Sequence, residues 1–185
     1  MNRFEITELG LGVKGVKRLT LGDARGSLTR LFCAQDLSVA GWIKPVAQAN
    51  WVENKLRATV RGLHYQVAPF AEDKLLFCMD GEIHDVVIDV RRGSPTLLQH
   101  VAINLSAARG DGLLIPAGIA HGYQCLCDDV KLLYFHSEAH APSAERGLNP
   151  LDPKLNIAWP LPVENLSERD QNHAYLKTTF EGEPF

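Results

Sequence analysis

Apolar positions through the middle of the chain fall in short runs or alternate with polar ones, and sustained helical spacing is scarce. QANWVE, ATVRGLHYQ, KLLFCM, EIHDVVIDV, LLQHVAINL, GLLIP, HGYQCLC and VKLLYFHS are strand-length segments rich in β-branched and aromatic residues, separated by turn residues. Their length and spacing predict an all-β antiparallel sandwich or small barrel. Asp80-Gly81 predicts a tight type I′ hairpin between KLLFCM and EIHDVVIDV, and Asp128-Asp129 a second turn. Ser106–Arg109 reads as one helical turn.

In EIHDVVIDV, one face carries Ile83, Asp85, Val87 and Asp89, the other Glu82, His84, Val86, Ile88 and Val90. Neither is cleanly polar. Such a strand fits one face in a core and the other in a polar cavity, or a subunit interface. Beyond residue 140 the texture changes, since six of the ten prolines lie there. Proline fixes φ and lacks a donor, which excludes a central strand or long helix. Leu148, Leu155, Ile157, Trp159 and Leu161 predict an extended segment laid over the sheet. The expected organisation is one domain over 1–185, with a barrel core over 45–137 and a C-terminal segment over 138–185.

Composition narrows the function. The 185 residues are 45% hydrophobic and 22% charged, with 19 basic against 22 acidic residues and a net charge of −3. That suits one globular core and gives nucleic acid or an anionic membrane no basic footprint. No run approaches the roughly 20 apolar residues of a membrane span, and MNRFEITELG lacks the apolar stretch of a signal peptide. Cys33, Cys78, Cys125 and Cys127 do not have zinc or redox spacing and read as reduced thiols of a cytoplasmic protein.

Chemistry concentrates in RGLHYQ, followed by Glu72-Asp73-Lys74. On a strand, His64 and Gln66 share one face and Leu63 and Tyr65 the other. A histidine oriented by a carboxylate is a base near neutrality, although on the hexapeptide alone a structural histidine bonded inside a barrel is the favoured reading. His121, after the turn in IPAGIAHG, Tyr134 in LLYFHS and Asp170 in LSERD are further candidates. Their bland readings are an exposed turn histidine, core packing and a solvated loop carboxylate. Histidines on neighbouring strands near Glu82 invite a metal. However, Gln66 is a poor ligand and Lys74 brings positive charge, so a metal-free site is preferred.

RGLHYQ, KLLFCMDGEIHDVVIDVRRGSPT, IPAGIAHGYQCL, the LLY strand, ERGLNPLDPKLNIAWPLP and LSERD occur in one order. In that order the chain resembles the dTDP-4-dehydrorhamnose 3,5-epimerase family, from GDARG at 22–26 to Asp170. The resemblance implies a jelly-roll cupin barrel, a cofactor-free site, and a homodimer whose N-terminal segment (1–30) reaches the neighbour's site. It implies a nucleotide-linked 4-keto-6-deoxyhexose as substrate, on a deoxysugar route to surface polysaccharides. By the same resemblance His64 is the base, Asp170 its orienting partner, Lys74 the enolate stabiliser and Tyr134 the acid. Arg61 and His121 line the sugar pocket, Arg25 anchors the pyrophosphate, and Gln48 and Asn50 contact the nucleotide side. No metal or organic cofactor is called for, since the ketone is its own electron sink.

Arg61 and His64 differ in strand parity; either a bulge near Gly62 brings both to one site, or Arg61 enters it only through its long side chain. Two segments depart from the family. Ser27-Leu28-Thr29-Arg30 replaces an aromatic pair and a glutamate, and His140-Ala141-Pro142 puts histidine where tyrosine borders the sugar. Those departures keep a single-centre epimerase on another nucleotide sugar in play, with His140 as a substitute donor. A non-catalytic sugar-nucleotide-binding cupin is the remaining alternative.

Overall fold

The structure is a computed structural model that describes residues 3–185; residues 1 and 2, part of the expected N-terminal segment, lie outside the described residues. Thirteen strands and two short helices are present among them. The strands are β1 (Phe4–Gly10), β2 (Val13–Arg18), β3 (Thr20–Asp23), β4 (Gly26–Thr29), β5 (Gln48–Asn54), β6 (Val60–Gln66) and β7 (Lys74–Asp80). They continue with β8 (Glu82–Asp89), β9 (His100–Ser106), β10 (Gly112–Ile115), β11 (Ile119–Cys125), β12 (Val130–His136) and β13 (Glu145–Gly147). Helix α1 spans Ala34–Ser38 and α2 Glu168–Gln171, and the turn expected at 106–109 is a 3₁₀ turn, Ala107–Arg109.

A six-stranded sheet runs β1-β2-β10-β7-β12-β5 and faces a five-stranded sheet, β13-β6-β11-β8-β9. This is the cupin-like jelly roll. Every sequence-predicted strand is found, but two of the predicted turns do something else. β7 and β8 lie in different sheets, as do β11 and β12. Asp80-Gly81 and Asp128-Asp129 are therefore corners between sheets, and no β7–β8 hairpin exists. Only Gly81 of the first pair has positive φ, +74°, whereas a type I′ turn needs two such residues. A Cβ on Gly81 would meet Cys127 Sγ at 2.8 Å and Val130 Cγ2 at 2.9 Å, so the corner is packed.

Three apolar clusters explain the mixed alternation. Between the sheets Leu76, Leu113 and Leu132 meet Ile83, Val87 and Ile119. The outer face of the six-stranded sheet, with Phe4, Leu75 and Phe77, is covered by Leu37, Ala40 and Trp42 at α1. The outer face of the five-stranded sheet, with Leu63, Tyr65, Val86 and Ile88, is covered by Leu148 and Leu155, with Ile157 and Trp159 alongside. Thus β8 is apolar on both faces because both are covered. Its outward face meets the chain's own proline-rich segment, and its inward face packs into the core between the sheets.

The N-terminal segment expected over 1–30 divides in two. β1 and β2 belong to the chain's own six-stranded sheet, so the barrel extends beyond 45–137. β3 and β4 pair only with each other, as a hairpin with Leu28 72% exposed. All four cysteines are unpaired thiols, Cys78 and Cys125 buried. No helix among the described residues is long and apolar enough to cross a membrane.

Candidate active site

Beside the packed core the space between the sheets opens into a cavity of about 850 Å³. His64, Lys74, Tyr134 and Asp170 line it. So do Gln48, Asn50, Arg61, His121 and His140. Arg25 does not. It sits in the hairpin, 90% exposed, paired with Asp23 at 2.6 Å. Glu82 starts β8 opposite Ser106, away from the cavity.

The expected bulge brings Arg61 and His64 together. On the β6–β11 ladder His64 pairs with His121 and Arg61 with Tyr123, so two residues of β6 oppose Gly122 alone. Gly62 adopts φ +109°, and a Cβ there would lie 2.6 Å from the His121 carbonyl oxygen. Only glycine fits so close to the neighbouring backbone. Arg61 donates from Nε to Asn54 Oδ1 at 2.6 Å, which also accepts from the Tyr123 hydroxyl at 3.2 Å.

Asp170 reaches the cavity from α2, beyond the proline-rich segment. Ser167 caps the helix by accepting the Asp170 N–H at 3.1 Å. The buried carboxylate accepts from His64 Nε2 at 2.6 Å and from the Gly62 N–H at 3.3 Å. Burial alone would raise its pKa; the His64 bond and charge outweigh this and hold it at about 2. An ionised Asp170 fixes the proton of His64 on Nε2, leaving Nδ1 with a free lone pair on a ring that lines the cavity. His173 lies beside the pair, and His64, Asp170 and His173 could hold a metal by spacing alone. The Arg169 guanidinium is there instead, 2.9 Å from His64 Nε2 and 3.7 Å from Asp170 Oδ1. A cation at that place opposes a second one.

The opposite sheet supplies Lys74 and Tyr134. Tyr134 is stacked on His136 with centroids 5.8 Å apart and meets His121 edge-on at 6.0 Å. Burial pushes its phenol well above the ordinary value, and the nearby Tyr123 and Asp85 add to this, so it stays a proton donor. His121 is held by Asp85 at 2.8 Å. His140 is half exposed and turned to Glu145 at 3.1 Å.

Sequence reasoning missed Glu72, His136 and Arg169 at the cavity and His173 beside His64 and Asp170, as well as Asn54, the partner of Arg61. His136 has the same strand parity as Tyr134 in LLYFHS, which was a usable signal. Asp85 shares its face with Asp89 and the sequence offered it no partner. Glu72 was noticed only as a neighbour of Lys74.

A sequence model of the dTDP-4-dehydrorhamnose 3,5-epimerase family matches residues 10–178. A dTDP-4-dehydrorhamnose 3,5-epimerase of Shigella flexneri is 40% identical over 116 residues, 63% of this chain and 64% of that one. A dTDP-4-dehydro-6-deoxyglucose 3-epimerase of Streptomyces bikiniensis is 42% identical over 135 residues, 72% and 68% of the two chains. Among solved structures, the dTDP-6-deoxy-D-glucose-3,5-epimerase of Legionella pneumophila, in complex with dTDP-4-keto-L-rhamnose, superposes with a TM-score of 0.86. It is 31% identical and covers 93% of this chain and 92% of that one. With the jelly roll, the bulged strand β6 and these likenesses in agreement, the chain belongs to the dTDP-4-dehydrorhamnose 3,5-epimerase family.

Proposed function

We propose that this chain inverts C3, C5 or both in a dTDP-linked 4-keto-6-deoxyhexose by forming and reprotonating an enolate. The observation that carries this reading is a base and an acid on opposite sheets of one cavity, His64 on β6 and Tyr134 on β12, with Lys74 between them. A C4 ketone acidifies the hydrogens at C3 and C5. His64 takes one through Nδ1, and Asp170 stabilises the imidazolium that results. The Lys74 ammonium stabilises the charge developing on O4. Tyr134 then returns a proton from the other side, which inverts the centre. The ketone takes up the electron pair, so the reaction as written needs no cofactor.

Arg25 serves a different chain in this reading. It is carried by a hairpin that pairs with neither sheet and exposes Leu28, which suits an arm reaching the cavity of a second copy in a homodimer. A nucleotide-activated substrate places the enzyme in the cytoplasm.

A single-centre outcome is the second reading. His140 is engaged with Glu145 at the cavity's edge, and the Streptomyces bikiniensis relative is named as a 3-epimerase. Incubation with dTDP-4-keto-6-deoxyglucose in heavy water, followed by NMR, separates the cases. Deuterium at both carbons supports the double inversion, and deuterium at C3 alone supports the single one. Exchange at neither carbon by folded protein overturns both and leaves a sugar-nucleotide binder.

A further inference from the structure

One hydrogen-bonded chain crosses the floor of the cavity, and every donor in it meets an acceptor. The His140 N–H donates to Gln48 Oε1 at 3.0 Å, and Gln48 Nε2 to Asn50 Oδ1 at 3.1 Å. Asn50 Nδ2 faces His136 Nε2 at 3.4 Å, and His136 Nδ1 faces Glu72 Oε2 at 2.8 Å. The other Glu72 oxygen, Oε1, lies 3.3 Å from Lys74 Nζ, which also donates to the His64 carbonyl at 3.1 Å. Since Asn50 offers an N–H, His136 Nε2 accepts, and the ring hydrogen sits on Nδ1, directed at Glu72.

We propose that Glu72 and His136 are positioning residues for Lys74: His136 fixes the Glu72 carboxylate, and Glu72 holds the ammonium aimed at the substrate's carbonyl oxygen. A lysine has a flexible four-carbon stem and three rotatable donors. Here two donors are taken, by Glu72 and by the backbone of the base, and the third is left for the cavity. The side chains of Glu72 and Lys74 are only 8% and 9% exposed, so neither charge has water as a substitute partner. The groups in contact with the ammonium are Glu72 from the preceding loop and the His64 carbonyl from β6, and His136 is the ladder partner of Lys74 on β12. Glu72 is the one carboxylate among them. Burial would raise its pKa; His136 and Lys74 together bring it below the ordinary value, so it stays ionised.

This inference rests on the epimerase reading for its kinetics, and an NMR readout on the unliganded protein makes it independent. In Glu72→Gln, the Lys74 ammonium resonances followed by lysine-selective NMR at neutral pH shift and broaden, as loss of the carboxylate that holds them requires. Its kcat falls about 10²-fold with KM within about threefold. His136→Ala lowers kcat about tenfold, and His136→Asn, which keeps an N–H near the Nδ1 position, restores most of it. Unchanged Lys74 ammonium resonances in folded Glu72→Gln overturn the inference whether or not the wild type turns over. If Glu72→Gln does not fold, the His136 pair decides: equal kcat in His136→Ala, His136→Asn and the wild type overturns it. Absence of exchange by the wild type overturns the epimerase reading alone.

Discussion

Two buried carboxylates of this chain are held far from their ordinary behaviour, for different ends. Asp89 accepts the Arg91 N–H and Nε at 2.9 Å, Arg91 Nη2 at 2.7 Å, and the Ser94 and Thr96 hydroxyls at 2.6 Å. Against its burial, the bonds from Arg91, Ser94 and Thr96 hold it well below the usual carboxylate range. Asp170 takes one ring N–H and one backbone N–H. The titration of both is displaced downward, so displacement does not mark function. The partner's other valence does. Arg91 spends Nη2 on the Leu11 carbonyl at 3.2 Å, tying down a loop. His64 instead lines the cavity.

The most forceful way to break this comparison is to neutralise each carboxylate without changing its shape. Asp170→Asn leaves His64 without the acceptor that sets its tautomer, and kcat should fall about 10³-fold, about 4 kcal/mol of barrier. Its stability should fall only by the ion pair's own share, about 1–2 kcal/mol. Asp89→Asn should do the reverse, costing about 3 kcal/mol of stability by urea unfolding, since it leaves Arg91 short of its buried charge partner. Its kcat per folded molecule should not change. A stability loss in Asp170→Asn equal to that in Asp89→Asn, with kcat kept, would mean that Asp170 too is only structural.

A weaker effect is the acid dependence of stability. Asp170 has a folded pKa of about 2, below its unfolded value near 3.8, so its contribution is complete above pH about 4 and is lost as pH falls towards 2. Because the dyad borders an open cavity, the expected loss is about 1–2 kcal/mol. Unfolding free energies of wild type and Asp170→Asn between pH 2 and 5 should converge at the acid end by about that amount. Parallel curves would remove the ion pair from the account.

The knot and the dyad also differ in how far they were legible beforehand. Asp89, Arg91, Ser94 and Thr96 are within eight residues of chain, local enough for a turn to satisfy itself. His64 and Asp170 are 106 residues apart, and only the family resemblance joined them. Strand parity placed His64 opposite Leu63 and Tyr65 and demanded the bulge at Gly62, because parity is a local property. It could not say which sheet a strand joins, so Asp80-Gly81 passed for a hairpin. Sheet membership depends on packing partners far along the chain. α2 went unread because four residues offer no periodicity, and Glu72 and His136 became a pair only once β7 and β12 lay side by side.

The smallest expected effect contrasts two serines. Ser94 is one of five donors to Asp89, whereas Ser167 caps α2 and accepts the N–H of Asp170 itself. Ser94→Ala removes one bond to a charge that keeps four others, for about 1 kcal/mol of stability and no change in kcat. Ser167→Ala costs a comparable ~1 kcal/mol, the usual worth of an N-cap. Its effect should not stop at stability. A four-residue helix has no second turn to hold Asp170 in place once the cap is gone, so the carboxylate loses its angle on His64 Nε2 and kcat should fall several-fold. The discriminating quantity is kcat at a temperature where both variants are fully folded. Equal values would mean that the cap stabilises the segment without orienting the dyad, and Asp170 would then owe its place to the Gly62 N–H alone.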